Sequence, residues 1–158
     1  MPQNNRLNAQ KKQRQHYSGK KKCHTQKTQI IAEMDTGMIL AAAFCTGRKH
    51  DFQLFQESGI KLPPHVVLLA DAGYQGVAEI HPNSQTPFKK TKLHPLDKEQ
   101  KTSNRALSRK RIVIEHIFRK LKVFRILSER YRNRKKRFGL RFSLIAAVYN
   151  MELKIACG

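Results

Sequence analysis

Two apolar segments near the start of the chain have the composition of β-strands. Residues 25–34 are rich in β-forming side chains, and residues 38–45 form a second apolar segment. The tripeptide Asp-Thr-Gly at residues 35–37 separates them, and a glycine in so short a connection favours a turn. The pattern therefore predicts a β-hairpin.

The middle of the chain combines a short helix with one continuous apolar run. Residues 51–58 have the pattern of a helix, for which Asp51 is the expected N-cap. Residues 65–70 (HVVLLA) are apolar without interruption, which is typical of a strand buried on both faces. The run stops at Asp71, and Gly73 indicates a turn directly after it.

A polar segment then leads to a first long helix. Residues 81–101 are rich in Pro, Asn, Ser and Lys and are expected to form a loop, with one short strand near residues 85–86. Ser103 or Asn104 is the expected N-cap of a helix that ends near Leu121.

A last helix is expected from about Gly139 to Leu153. Its apolar positions at helical spacing are Leu140, Leu144, Val148 and Met151. In the predicted order of elements the strands come first and the helices last, and one strand is fully buried. This order indicates a mixed α/β layer architecture.

Positive charge is concentrated in two segments. The chain has 32 Lys and Arg against 11 Asp and Glu, a net charge of +21. Residues 1–30 and 88–142 are strongly basic, whereas residues 31–87 carry more acidic than basic side chains. This distribution predicts a surface that binds a polyanion, with nucleic acid as the expected partner. A solvated basic surface without a dedicated partner is the alternative, and no amphipathic membrane helix supports a lipid surface.

Length and composition are those of one domain. The 158 residues suffice for one hydrophobic core, preceded by an irregular basic arm at residues 1–22. There is no apolar stretch of membrane-spanning length and no apolar leader, so a cytoplasmic protein is expected. Cys23, Cys45 and Cys157 are isolated from one another, which predicts free thiols rather than a zinc site or disulfides.

Asp71 is a candidate functional residue because of its position. It directly follows the predicted buried strand, and ligands of open α/β sheets gather beyond the carboxyl ends of strands. An aspartate that hydrogen-bonds its own turn is an equally good interpretation.

Glu115 is a second candidate because basic residues surround it on one helix face. At 100° per residue, Arg111, Arg119 and Lys122 lie within about 40° of Glu115, with Ser108 close by. The opposite face carries the apolar residues Leu107, Ile114, Ile117, Phe118 and Leu121. Salt bridges from Glu115 to Arg111 and Arg119 would explain the pattern, each worth about 0.3–0.5 kcal/mol. A metal-binding carboxylate beside side chains that hold a phosphate backbone explains it as well.

Phosphoryl transfer on nucleic acid would need both candidates. Two hard cations can activate an attacking oxygen and stabilise the leaving one. Magnesium prefers oxygen ligands and is usually held by one or two carboxylates together with substrate phosphates. Asp71 and Glu115 are the right ligand types, and the neighbouring basic residues would position the backbone of the nucleic acid.

An ordered series of motifs resembles bacterial DDE transposases of the insertion-sequence-five family. Asp71-x-Gly73-Tyr74 after an apolar strand, and Arg111-x-x-x-Glu115 followed by Lys122, are similar to the second and third catalytic blocks of these enzymes. The resemblance covers residues 15 to 153. Further segments that are similar to the family are residues 17–25, 47–51, 83–87, 130–134 and 137–142.

The resemblance implies an RNase H-like fold, a mixed sheet with flanking helices, and roles for individual residues. Asp71 would be the second acid of the catalytic triad and Glu115 the third, both binding Mg²⁺ or Mn²⁺. The implied contacts to DNA are Arg111, Arg119, Lys122, Lys20, Lys21 and Lys22. The family often has a tyrosine where this chain has Ser108. His50, Asp51 and Tyr74 are possible accessory residues of the site. For Asp51, the role of a helix cap comes before that of a site residue.

The family's first aspartate lies on a central first strand, ahead of the Ser-Gly-Lys-Lys-Lys segment at residues 18–22. Residues 1–17 contain neither Asp nor Glu. We therefore expect residues 23–158 to be a partial catalytic domain that lacks this strand, with an upstream fragment or further copies of the chain as possible partners.

The implied function is metal-dependent cleavage and transfer of double-stranded DNA, at transposon ends and target, with low or no activity in this chain alone. A divalent-metal nuclease of similar fold and a non-enzymatic basic nucleic-acid-binding protein are the alternatives.

Overall fold

The computed structural model describes residues 17–18, 23–24, 26–91, 95–128 and 137–157, which form mixed α/β structure. The strands are β1 (Tyr17–Ser18), β2 (Cys23–His24), β3 (Gln26–Ala32), β4 (Ile39–Thr46), β5 (Leu68–Leu69) and β6 (Ser84–Gln85). The helices are α1 (Asp51–Ser58), α2 (Lys98–Leu121), α3 (Arg125–Ser128) and α4 (Phe138–Cys157). Two short 3₁₀ turns, Ala72–Tyr74 and Val77–Glu79, follow β5.

The predicted β-hairpin is confirmed. β3 and β4 pair antiparallel from Gln26 opposite Thr46 to Ala32 opposite Ile39, with an irregularity between Ile31 and Ala32. In the connection, Gly37 has φ of +71° and donates its N–H to the Glu33 carbonyl at 3.0 Å. A side chain at position 37 would be strained in this left-handed conformation.

Part of the segment predicted as an irregular arm is paired. Tyr17–Ser18 lies antiparallel to Cys23–His24 in a separate two-stranded ladder. Residues 1–16 and 19–22 lie outside the described part of the chain, so the rest of the arm stays a prediction.

The prediction of a buried strand over residues 65–70 is wrong in the length of the strand. Only Leu68–Leu69 is paired, parallel to β6, with Leu68 opposite Ser84 and Leu69 opposite Gln85. Val66 donates its N–H back to the Pro63 carbonyl at 3.0 Å, so the start of the apolar run forms a turn. Val66 and Val67 are 36% and 51% exposed. The short strand expected near residues 85–86 is present at Ser84–Gln85.

Helix α2 begins earlier than predicted, and neither Ser103 nor Asn104 caps it. Asp97 is the N-cap: its side chain accepts the Gln100 N–H at 2.7 Å, while Gln100 accepts the Asp97 N–H at 3.3 Å. This reciprocal capping box satisfies two of the backbone donors that a helix start leaves free. Asn104 lies inside the helix and holds the preceding loop, with hydrogen bonds to the Phe88 N–H and carbonyl.

The predicted cap of α1 is also wrong. The N-cap is His50, which makes no side-chain capping bond, and Asp51 is the first helical residue. The Asp51 carboxylate instead forms an ion pair with Lys27 of β3 at 3.1 Å. An acidic side chain in the first turn still interacts favourably with the helix dipole.

The main core lies between the hairpin, α2 and α4. Its buried residues are Ile39, Ile117, Leu121, Phe138, Phe142, Ala146 and Tyr149. The Phe44 ring meets those of Phe138 and Phe142 edge-on, with centroids 5.6 and 5.3 Å apart. Asn150 bonds both the N–H and the carbonyl of Ile39, which fixes α4 against the start of β4.

The apolar stripe predicted for the last helix does not face this core. Leu140, Leu144, Val148 and Met151 are all exposed, and α4 is buried instead through Phe138, Phe142, Ala146 and Tyr149. On α2 the expected core residues Leu107, Ile117 and Leu121 are buried.

Cys45 is a free, half-buried thiol in β4, as expected, and burial raises its pKa. The side chains of Cys23 and Cys157 lie outside the described part of the structure. None of the helices in the described ranges combines the length and hydropathy needed to cross a bilayer.

Candidate active site

A cavity of about 330 Å³ lies where β3, the end of β5 and the middle of α2 meet. Three carboxylates line it, those of Asp51, Asp71 and Glu115, and we call it the carboxylate cavity. Arg111, Tyr74 and Gln29 also line it, together with apolar side chains that include Phe55, Ile114 and Phe118. Residues far apart in sequence therefore contribute to one concave surface.

Asp71 caps a turn and faces the cavity at the same time. It follows β5 with an extended backbone, and its Oδ1 accepts the Ala72 N–H at 2.6 Å. Its Oδ2 forms an ion pair with the Arg111 guanidinium at 3.1 Å. The turn interpretation is thus confirmed, and it leaves the second carboxylate oxygen directed towards α2.

The ion pair links the strand end to the predicted basic face of α2. Arg111 lies one turn before Glu115, and both line the carboxylate cavity. Among the described residues Glu115 forms no ion pair, and Arg111 pairs with Asp71. The interpretation of this face as a ladder of salt bridges through Glu115 is therefore wrong.

Asp51 packs directly against the turn that carries Asp71. A Cβ atom built on Gly73 would lie 2.9 Å from Oδ2 of Asp51, a distance too short for any real side chain. Gly73 therefore permits the close approach of α1 to this turn. The sequence marked Gly73 only as a turn former, since its packing partner lies elsewhere in the chain.

The side chains of Tyr74 and Gln29 support the turn that carries Asp71. The Tyr74 hydroxyl donates to Oε1 of Gln29 at 3.3 Å, and its ring meets Phe55 edge-on at 6.5 Å. Burial, followed by the negative charges of Asp51 and Asp71, raises the pKa of Tyr74 to about 12. The phenol is therefore a neutral donor at ordinary pH.

Gln29 was not among the residues predicted from the sequence. It is only 6% exposed, and its Nε2 has no hydrogen-bond partner among the described residues. The sequence offered no local signal for it, because Gln29 is the last of four polar residues, Gln26–Gln29, that open β3, and only the fold shows which of them is buried.

The other predicted site residues lie away from the cavity. Arg119 and Lys122 are exposed towards the end of α2 and do not line it. Ser108 is exposed on α2, and His50 is exposed at the start of α1. Lys20, Lys21 and Lys22 lie outside the described residues.

The carboxylates suit a hard divalent cation only in part. Within the described ranges, no group of three His, Cys, Asp or Glu side chains is close enough to hold a metal ion. Asp71 and Glu115 nevertheless offer exposed carboxylate oxygens to one cavity. Hard divalent cations are often held by one or two protein carboxylates and completed by substrate phosphates, so two carboxylates could form part of such a site.

Comparison with known proteins identifies the family of the chain. Residues 2–150 match the family described as DDE superfamily endonuclease. The chain is 50% identical over 145 residues to the "Probable transposase for insertion sequence element IS702" of Microchaete diplosiphon. The match covers 92% of this chain and 52% of that protein, so the chain spans about half the length of this relative. No solved structure matches the chain. The resemblance to insertion-sequence transposases is confirmed: the chain belongs to the DDE superfamily endonucleases.

Proposed function

We propose that the chain provides part of a transposase active site, which cleaves and transfers DNA strands with the help of Mg²⁺ or Mn²⁺. The observation that carries the proposal is that Asp71 and Glu115 line one cavity, with Arg111 paired to Asp71 beside them. The antiparallel β3–β4 pair, the parallel β5–β6 pair and the flanking helices further support an RNase H-like fold.

The chemistry divides between the cation and the chain. A bound divalent cation polarises the phosphate and lowers the pKa of an attacking water or 3′-hydroxyl. Asp71 and Glu115 would hold it, one from a turn fixed by its own hydrogen bond and the other from a rigid helix. Sites built from such fixed elements keep their ligands in place, which phosphoryl transfer requires.

Arg111 orients Asp71 and can also contact DNA. Its side chain is 27% exposed and forms a single ion pair at 3.1 Å. A guanidinium has five N–H donors in a planar fork, so Arg111 can hold Asp71 and a phosphate oxygen together. Arg111 would thus bring the phosphate to the carboxylates.

Asp51 is an accessory residue in this proposal. Its charge is balanced by Lys27, and its contact with Gly73 positions the Asp71 turn. It is the third carboxylate that lines the cavity, but among the described residues it does not form a three-ligand metal group with Asp71 and Glu115.

Double-stranded DNA is the proposed substrate. Exposed basic side chains continue beyond Glu115 with Arg119 and with Lys122 at the end of α2, where they could contact the phosphate backbone. If about six phosphates are neutralised, log K should fall against log salt with a slope of roughly −5. A slope near zero would exclude DNA as the natural partner.

The test is Mn²⁺- or Mg²⁺-dependent nicking of supercoiled plasmid by the wild type, Asp71→Asn and Glu115→Gln. Glu152→Gln is the matched control, since Glu152 is exposed on α4 and does not line the cavity. We expect slow nicking by the wild type and the control, and none by the two site variants, with DNA binding retained in all four. Nicking that survives both site substitutions, or that Glu152→Gln abolishes as fully as they do, would contradict the proposal. Cleavage without strand joining would favour the nuclease alternative.

A further inference from the structure

A further cavity of about 360 Å³ lies between β6, the loop that follows it and the first half of α2. We call it the β6 pocket. None of the residues that line it also lines the carboxylate cavity, so the two spaces are separate. Its volume lies within the range of about 300–1,000 Å³ that is typical of small-molecule sites.

Phe88 gives the β6 pocket an aromatic wall. Its side chain is 51% exposed, although aromatic rings usually contribute their large apolar area to a core. Asn104 of α2 accepts the Phe88 N–H at 2.8 Å and donates to the Phe88 carbonyl at 3.0 Å. The ring is therefore presented at the surface by a fixed backbone and not by apolar burial.

The rest of the lining is mostly polar or small. Ser84, Gln85, Thr86 and Ser103 line the pocket, and within the described part of the chain their side chains form no hydrogen bond. Hydroxyl and amide groups both donate and accept, so they can bond the edge of a polar ring. Ala106, which also lines the pocket, is small and exposed and leaves the face of α2 open.

The charge at the β6 pocket is positive. Lys110 lines the pocket, and the exposed Lys89 and Lys90 directly follow Phe88 in the loop. No Asp or Glu lines it, and Glu99, one turn before Ser103 on α2, is not part of the lining. A ring that can stack, side chains that can bond an edge and a lysine for a phosphate together suit an unpaired nucleotide base.

The β6 pocket is connected to the carboxylate cavity through two elements. Gln75, just after the Asp71 turn, donates from Nε2 to the Pro87 carbonyl at 3.0 Å. Helix α2 reaches both spaces, since Leu107 lines the pocket and Glu115 lines the cavity. At 1.5 Å per residue these two positions are about 12 Å apart along the helix axis. Stacked nucleotides of one strand are about 3.4 Å apart, so a few nucleotides span this distance.

We propose that the β6 pocket binds one unpaired base of a DNA strand whose backbone continues to the carboxylate cavity. The inference rests on the proposed function, because DNA must be bound before one of its bases can enter the pocket. The base stacks on Phe88, its edge bonds to the hydroxyl and amide groups, and Lys110 contacts its phosphate. A base within a duplex is paired and stacked, so the pocket takes bases from single-stranded or locally opened DNA.

The probe is a fluorescein-labelled DNA duplex with a single-stranded tail of five thymidines, added to the whole chain without divalent metal. A matched probe has the same duplex and the same tail phosphates, but its five tail positions are abasic. A blunt duplex measures binding by double-stranded DNA alone. Fluorescence anisotropy at one salt concentration gives the three affinities, which do not depend on catalysis.

We expect the wild type to bind the thymidine tail at least about tenfold more tightly than the abasic tail. Phe88→Ala should abolish this preference without changing the affinity for the abasic tail, whereas Phe88→Tyr should keep it. Phe124→Ala is the matched control, since Phe124 is 39% exposed and does not line the pocket, and it should keep the preference.

A second variant tests the pocket without removing its aromatic wall. Ala106→Leu fills the space from α2 while every polar side chain of the lining remains. Leucine is a good helix former, so the helix should be retained. We expect this variant to lose the preference for the thymidine tail as fully as Phe88→Ala does.

The outcomes separate this inference from the proposed function. Equal affinities for the two tailed probes in the wild type would overturn the inference alone, because DNA would still be bound. A preference that survives either Phe88→Ala or Ala106→Leu would overturn it too, since the base would then bind elsewhere. Failure to bind any of the three probes would overturn both the inference and the proposed function.

Discussion

The two sides of helix α2 show how stability and chemistry are divided in this molecule. On one side Ile117 and Leu121 are almost fully buried against the hairpin and α4. On the other side Glu115 is exposed and Arg111 forms an ion pair with Asp71. The packed side has aromatic rings in edge-on contact, whereas the cavity side has the carboxylates of Asp51, Asp71 and Glu115.

The rigid helix α2 therefore serves two purposes, and it does so through two faces that do not overlap. Apolar burial contributes most of the free energy of folding, and exposed ion pairs contribute little. Substitutions on the packed side should therefore change the unfolding free energy. Those on the cavity side should change metal and DNA chemistry with little loss of stability.

The largest expected effect is on the packed side. Phe142 is 2% exposed and contacts the rings of Phe44 and Phe138. Phe142→Ala should lower the free energy of unfolding by about 3–5 kcal/mol, because it leaves a cavity in a close-packed core. Urea unfolding followed by circular dichroism measures this change.

Leu144→Ala is the matched control, since Leu144 lies on the same helix but is 60% exposed. It should change the unfolding free energy by no more than about 0.5 kcal/mol. Equal losses in the two variants would show that the exposed stripe of α4 is packed in solution, and the division between the two sides would fail.

Much of this division could be predicted from the sequence. Helical periodicity separated Leu107, Ile117 and Leu121 from Glu115 and its basic neighbours, and the turn at Gly37 gave the hairpin. These are local patterns, since the period and the turn chemistry act within a few residues. Asp71 was indicated by its position directly after the apolar run and Glu115 by the basic residues around it on one helix face, and the structure brings both to one cavity.

The parts that could not be predicted depend on contacts distant in sequence. Leu140 and Phe142 are both apolar, and only the position of the hairpin decides that Phe142 is the buried one. Likewise, the role of Asp51 required knowing that Gly73 packs against it. The start of α2 is different, because Asp97 and Gln100 form a local capping-box signal in the sequence, as Ser103 and Asn104 also offer possible caps, and the structure uses the first of them.

The next expected effect is on the cavity side and concerns the contact between Asp51 and Gly73. Gly73→Ala places a methyl group against Oδ2 of Asp51, and because this carboxylate can rotate away the substitution should destabilise the chain by only about 0.5–1 kcal/mol. In the Asp51→Ala background the same substitution should cost less, with a coupling energy of at least about 0.5 kcal/mol. A double-mutant cycle in urea measures this coupling. Strictly additive effects would show that the two residues do not touch.

The smallest expected effect is the pH dependence contributed by Tyr74. Its pKa is raised from 10.0 to about 12 in the folded chain, so the folded state binds its proton more tightly than the unfolded state. The associated stability is complete below pH 10 and is lost as the pH rises from about 10 through 12. Tyr74→Phe should remove this part of the decline. An alkaline stability profile that is identical in the two proteins would contradict the buried, neutral phenol.

The most direct test of the account is whether Asp71 and Glu115 bind one divalent cation together. Mn²⁺ binding to the wild type, Asp71→Asn, Glu115→Gln and the double variant can be measured by electron paramagnetic resonance, with Glu152→Gln as the control. Two ligands of one ion should not act independently, so each single substitution should weaken binding at least about tenfold and the double variant should lose little more. Losses that multiply in the double variant, or binding that none of the substitutions weakens, would contradict a shared metal site in the carboxylate cavity.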